Sequence, residues 1–266
     1  MNPQDLLTST LASSIRGWRG TQASRHTRQP EKLPELFDCE NDWECRLVRE
    51  AITELNLDVF IWPVPNGGKR FYPKMAEAAA SKGLSTHRPL LVDPNTGDVL
   101  QGARAINTWL FATYGNRKVP DALLPTRSNR LSSELASKVR GNRGLNARPS
   151  RAPEKPLTLY AFESSPYSRP VREVLCELEL PYTLITLGKQ QRADWGPASF
   201  RLHLGPYRPI PGTKRDQMLK TRGRVQVPFL IDPNTGVEMF ESADILAYLE
   251  STYALPETSM ERAVLD

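Results

Sequence analysis

LIDPNTGVEMFESADILAYLESTYA at 230–254 repeats, with few changes of pattern, LVDPNTGDVLQGARAINTWLFATYG at 91–115. Upstream, PVREVLCELEL at 170–180 repeats LVREAITELNL at 47–57. The first pair is offset by 139 positions and the second by 123, so the second copy carries 16 extra residues between its matching blocks. An internal duplication of this kind means one folding unit occurring twice. What one copy keeps and the other loses then becomes evidence about function.

Within the second copy, LTLYAF at 157–162 reads as an apolar strand and SSPYSRP at 164–170 as a turn. VREVLCELEL then places Val171, Val174, Leu175, Leu178 and Leu180 on one helical face. YTLITL at 182–187, VQVPFLI at 225–231 and VEMF at 237–240 read as three further strands. The DPNTG between the last two predicts a tight hairpin, with Asn234 and Gly236 in left-handed conformations. ESADILAYLESTY closes the unit as an amphipathic helix with Ser242 as its N-cap. The order is βαβ, a variable segment, then ββα, and the first copy follows it.

The sequence divides into an arm at 1–32, a first unit at 33–115, a linker at 116–156, a second unit at 157–255 and a tail at 256–266. Its net charge of +5 is concentrated in the arm (+3) and the linker (+7), while the first unit is −3 and the stretch 157–266 is −2. Without interleaved aromatics or a recognised motif, that basic character reads as a solvated linker and not as a specific nucleic-acid site. LSSELASKVR at 131–140 predicts a short helix capped by Ser132 or Ser133, followed by irregular chain at 141–156. Leu7, Leu11, Ile15 and Trp18 recur at helical spacing, which predicts an amphipathic arm helix packing its stripe on the core. No stretch approaches the roughly 20 apolar residues of a membrane span, so the chain reads as soluble. Three cysteines point to a reducing compartment, and the isolated histidines, His26, His87 and His203, give no metal site. The expected location is the cytoplasm, with an organelle stroma or matrix as the alternative should the Arg- and Ser/Thr-bearing start be a transit peptide.

The ordered motifs carry a family resemblance. A four-residue C-P-Y-C-like motif before a helix (Ser165-Pro166-Tyr167-Ser168), a Val227-Pro228 pair before the third strand, and Glu241-Ser242 opening the last helix resemble the thioredoxin-fold N-terminal domain of glutathione S-transferases, with glutaredoxins related. The resemblance implies an α/β chain of two tandem thioredoxin-like domains. It also implies glutathione as ligand, a cis proline at Pro228, and a small electrophile as second substrate. Ser165 stands where the activating hydroxyl would donate to the glutathione thiolate, next to Tyr167. Val227 would offer its backbone to the cysteinyl part, and Glu241 and Ser242 would hold the γ-glutamyl end. Pro89 in THRPL corresponds to Pro228.

The first copy departs from this pattern. Its tetrad is Asp42-Trp43-Glu44-Cys45, and Gln101-Gly102 stands for Glu241-Ser242. Asp38, Glu40, Asp42 and Glu44 crowd the same turn and disfavour both a thiolate at Cys45 and an anionic tripeptide. This copy reads as a structural or partner-binding module. Cys45 occupies the second cysteine position of a redox motif, Cys39 lies near a strand end outside CxxC spacing, and Cys176 reads as a core residue.

A further departure is that only 13 residues follow Tyr253, where the family continues into a large helical domain that walls the electrophile site. Either the first copy or the linker covers the site, or there is no electrophile pocket. The surplus at 189–224 serves as a lid or as a disordered insertion. The reading is a glutathione-binding, transferase-like protein. Its alternatives are a non-catalytic thioredoxin-fold scaffold, and a glutaredoxin-like thiol oxidoreductase using Cys45.

Overall fold

The computed structural model describes residues 2–196 and 205–256. Part of the 189–224 surplus, residues 197–204, and the tail from residue 257 lie outside them. The first half runs α1 (Pro3–Ile15), β1 (Glu35–Asp38), α2 (Trp43–Glu54), β2 (Val59–Pro63), α3 (Tyr72–Ala80), β3 (Leu90–Asp93), β4 (Asp98–Gln101) and α4 (Ala103–Thr113). The second half repeats that order as α5 (Arg127–Val139), β5 (Leu157–Ala161), α6 (Arg169–Glu177), β6 (Tyr182–Thr186), α7 (Lys214–Arg222), β7 (Phe229–Asp232), β8 (Val237–Phe240) and α8 (Ser242–Tyr253). This is the expected thioredoxin-like βαβ-ββα order in each half. Among the described residues no all-helical region follows α8.

All eight strands form one sheet in the order β4-β3-β1-β2-β6-β5-β7-β8. β1 pairs parallel with β2, and β5 with β6, while β3 and β4, like β7 and β8, join antiparallel. The halves meet where β2 runs antiparallel to β6, with Phe60 opposite Thr183, Val59 opposite Leu184 and Ile61 opposite Tyr182. Phe60 and Thr183 are the same position in the two copies, and the outer pairs are reciprocal. A local two-fold axis therefore passes between them.

Alternation along the strands builds two layers. Leu36, Leu91 and Leu230 face the main core with Leu47 and Ile52 of α2, Ile106 and Leu110 of α4, Val171 and Leu175 of α6, and Ile245 and Leu249 of α8. Their neighbours Phe37 and Leu90 face the other way onto Met75 and Ala79 of α3, and Phe229 faces Met218 of α7. At each hairpin the glycine is left-handed, Gly97 at φ 76° and Gly236 at 74°. Asn234 is not: its side chain instead bridges to Lys155, accepting from the amide at 2.8 Å and donating to the carbonyl at 2.9 Å. Asn95 does the same to Lys32. An amide side chain that can tie two strands of chain together is more useful there than one relieving a turn.

The arm and the linker differ from expectation. Thr126, not Ser132 or Ser133, caps α5, because the helix begins a turn earlier. α1 and α5 pack on each other through small residues: Ser9, Ala12 and Ser13 are buried on α1, and Ser133, Ala136 and Ser137 on α5. The stripe expected to face the core is turned outward, with Leu7 69% and Leu11 47% exposed. Close approach of two helices needs small side chains at the contact, and that requirement overrides the leucine periodicity. The duplication also extends further than the two block pairs. Arg16-Gly17-Trp18-Arg19-Gly20 matches Arg140-Gly141-Asn142-Arg143-Gly144, and the helices before them match as well.

These cations are not free solvated charge. Arg16 donates to both oxygens of Glu50 at 2.8 and 2.7 Å, and Arg140 to both of Glu173 at 2.8 and 2.6 Å. Between these symmetric pairs lies a buried network linking the halves. Arg172 binds Glu40 at 3.0 and 2.9 Å, and Arg49 binds Glu163 at 2.9 Å and Asp38 at 2.6 Å. Burial alone would raise the Glu163 carboxyl. The guanidinium groups of Arg172, Arg49, Arg169 and Arg46 more than offset it and hold the pKa at about 2.

Candidate functional site

The turn after β5 is fixed from the amino-terminal arm. Ser164 N donates to Gly20 O at 3.2 Å, and Ser13 Oγ donates to Ser164 O at 2.8 Å. Ser13 in turn accepts from Arg169 Nη2 at 2.9 Å. The next residue, Ser165, is buried at the start of the α6 approach. Its Oγ accepts from the Ser168 amide at 3.2 Å and from the Ser168 hydroxyl at 2.9 Å. With both acceptor positions engaged, the hydroxyl proton of Ser165 is left to donate elsewhere.

Ser165 opens onto a cleft of about 940 Å³. The same cleft is lined by Tyr167, Val227, Pro228, Glu241 and Ser242, so five residues from three separate stretches converge with Ser165 on one space. The Val227–Pro228 peptide is cis, as is Arg88–Pro89 in the first half. Glu241, not Ser242, is the N-cap of α8, and Ser242 is its first helical residue. Glu241 has φ 69° and ψ 115°, a conformation rare outside glycine, and its carboxylate accepts from Gln226 Nε2 at 2.6 Å. Cys45 is not in this cleft.

Sequence reasoning missed one wall. Leu6, Thr10, Trp18 and Thr21, all from the arm, close the cleft on one side. The surplus segment supplies another wall through Lys189, Asp194, Trp195, Tyr207 and Arg215. Burial would raise the Asp194 carboxyl, but the Arg215 charge and the Tyr207 hydroxyl, 2.6 Å away, bring it below the usual carboxylate range. The signal for the arm was the matching RGWRG and RGNRG segments, which place it inside the duplication.

The corresponding place in the first half is filled by its own side chains. Sheet pairing aligns Gln101 with Phe240, since Leu90 faces Gln101 and Phe229 faces Phe240. The counterparts of Glu241 and Ser242 are therefore Gly102 and Ala103, not Gln101 and Gly102. Gly102 has φ 78° and ψ 147°, close to Glu241. Glu44 Oε2 accepts from the Ala103 amide at 2.9 Å, placing a carboxylate of this chain at the α4 N-terminus. Asp42 caps α2, accepting from Glu44 N at 2.9 Å and Cys45 N at 3.0 Å, and lies 3.7 Å from Arg88 Nε. The four acids thus serve three different tasks and do not share one empty site, for Asp38 and Glu40 both belong to the buried network.

The cysteines are free and buried together. Cys39 N donates to Cys45 Sγ at 3.4 Å, and Glu40 N to Cys176 Sγ at 3.4 Å. Burial, then the charges of Asp42 and Asp38, push the Cys45 thiol well above its ordinary value. A thiol so held is the reverse of the lowered, accessible thiolate that disulfide exchange needs. A second cavity, about 770 Å³, is lined by Phe60, Trp62, Phe71 and several prolines and contains none of the predicted site residues.

A βαβ-ββα unit with a cis proline beside a serine-bearing turn and a helix N-terminus defines a thioredoxin-like domain. Residues 159–257 match the family model for the glutathione S-transferase N-terminal domain, and the second half of the chain is a domain of that kind. No curated protein and no solved structure matches the chain. Among the described residues no helix is long and apolar enough to cross a membrane.

Proposed function

We propose that the second half binds one glutathione and activates its thiol for transfer to an electrophile. The observation that carries this reading is the convergence of Ser165, Val227-Pro228 and Glu241-Ser242 on one cleft. Ser165, its lone pairs occupied by Ser168, keeps its proton and donates a hydrogen bond to the cysteinyl sulfur, which favours loss of the thiol proton to solvent and holds the thiolate. The Val227 backbone pairs with the cysteinyl peptide. Glu241 pairs with the γ-glutamyl ammonium, and the N-terminal turn of α8 takes the α-carboxylate. Tyr167 covers the tripeptide from the rim. The thiolate then attacks the electrophilic carbon, forming a carbon–sulfur bond while the leaving group departs with its electron pair.

The first half has no such role. Glu44 holds the α4 N-terminus that a ligand carboxylate would need, and Gly102 and Ala103 lack the charge and the hydroxyl. It serves as a structural partner that completes the cleft through the arm. Isothermal calorimetry tests the binding claim: one glutathione per chain is expected, weakened by Glu241→Ala, and no detectable heat rejects it. Conjugation across a panel of electrophiles tests the chemistry. Turnover lost in Ser165→Ala supports thiol activation, and equal inactivity of wild type and variant leaves a non-catalytic binding protein.

A further inference from the structure

Trp18 sits in the left-handed region at φ 56°. Its counterpart Asn142 has φ 55°, and the glycines around them repeat as well, Gly17 and Gly141 at 61° and 64°, Gly20 and Gly144 at 73° and 78°. The same turn is therefore built twice on one backbone. Its local bonds match too: Trp18 N donates to Ser13 O at 2.9 Å, and Asn142 N to Ser137 O at 3.0 Å. Asparagine tolerates this conformation, whereas a bulky ring there is an outlier that needs a reason.

Among the described residues no hydrogen bond or ring contact of its side chain supplies one. Trp18 is 41% exposed, and among the described residues its indole N–H makes no hydrogen bond and its ring no aromatic or cation contact. What distinguishes the two turns is what they face. Asn142 belongs to the turn beside the first half's filled position, and Trp18 stands on the open cleft of the second half. The same cleft is lined by two more large aromatic side chains left 38% exposed, Tyr167 and Trp195. Phe162 and Lys189 also line it, the Lys189 ammonium lying 5.7 Å from the Phe162 ring and 5.6 Å from the Trp195 ring. Backbone outliers retained without structural return cluster where ligands bind.

We infer that the outer part of the cleft takes a planar aromatic group and that Trp18, contributed by the amino-terminal half, is a specificity-determining residue for it. A flat ring lying against Trp18 and Trp195 covers the apolar surfaces that the fold leaves in water, and an electron-withdrawing or anionic substituent faces Lys189. This inference rests on the cleft being a ligand site, and only part of its test depends on glutathione.

The test compares the full chain with Trp18→Asn, which installs the residue the other turn uses, and with Trp195→Ala. Calorimetry measures glutathione, S-hexylglutathione and S-(2,4-dinitrophenyl)glutathione, and ligand-detected NMR titration measures 2,4-dinitrophenol alone. Trp18→Asn is expected to weaken the dinitrophenyl conjugate about tenfold. Glutathione itself should stay within about twofold, and the midpoint of thermal unfolding should not fall, since asparagine suits the turn. Trp195→Ala should weaken the same aryl ligands. If wild type binds dinitrophenol but not glutathione, and Trp18→Asn weakens the former, this inference stands and the glutathione reading fails. Undiminished aryl binding in Trp18→Asn, or equal weakening of glutathione and its aryl conjugate, overturns the inference whatever glutathione does.

Discussion

Replacing Glu241 with glycine separates the cost of the site from its use. At φ 69° and ψ 115° a non-glycine residue carries strain of about 1–3 kcal/mol. Glycine removes that strain, and the first half already uses Gly102 at this position. Against the gain stand about 0.5–1 kcal/mol of extra chain entropy and about 0.5 kcal/mol for the lost contact with Gln226. The net runs from about 0.5 kcal/mol less stable to about 2 kcal/mol more stable, which for a chain of this size lowers the unfolding midpoint by no more than about 2 °C or raises it by several degrees. Binding moves the other way. A charge-assisted contact of about 1.5–3 kcal/mol is lost, which weakens glutathione by about 10- to 100-fold. Differential scanning calorimetry and titration calorimetry on Glu241→Gly read both quantities. A midpoint lowered by more than about 4 °C refutes the strain argument, and an unchanged affinity refutes the contact.

Glu44→Gln should cost about 1 kcal/mol in chemical denaturation, because the α4 N-terminus loses its carboxylate, while glutathione affinity stays as in wild type; a change in affinity contradicts a ligand-free first half. Cys39, Cys45 and Cys176 should resist alkylation by iodoacetamide at pH 8 until the protein is unfolded, and Cys45→Ser should leave any glutathione-linked turnover unchanged, so rapid native labelling counts against a structural role. Glu163 has its folded pKa near 2, below its unfolded value near 4.5, so its contribution of about 3 kcal/mol is present above pH 4.5 and fades as pH falls toward 2. Urea denaturation of Glu163→Gln should show a loss of about 3–5 kcal/mol at pH 7 and a flatter acid limb than wild type, and parallel acid limbs refute the assignment.

The strand and helix order was legible because periodicity and duplication agreed at every element from β1 to α4 and from β5 to α8 except α3 and α7, which lie in the segments read only as variable. The converging site was legible for a related reason: Ser165, Val227-Pro228 and Glu241-Ser242 stand in the family's order on elements whose places the fold determines. Three things were hidden. The outward turn of Leu7 and Leu11 follows from small residues at the α1–α5 contact, a packing effect that hydrophobic spacing does not register. Two of the linker's cations are not solvated, because Arg140 and Arg148 meet acids far along the chain, at Glu173, Glu177 and Glu250. The wall built by Trp18 depends on the two-fold relation between the halves, which positions one half's arm on the other half's turn, and no local motif encodes that.

Chemical-shift mapping with unlabelled glutathione on the isotope-labelled full chain reads the location of binding directly. The amides of Ser165, Val227, Glu241 and Ser242 should move together in a single saturating process, while those of Asp42, Cys45 and Gly102 stay in place. Movement centred on the first half, or no movement at millimolar glutathione, would contradict a single thiol-peptide cleft in the second.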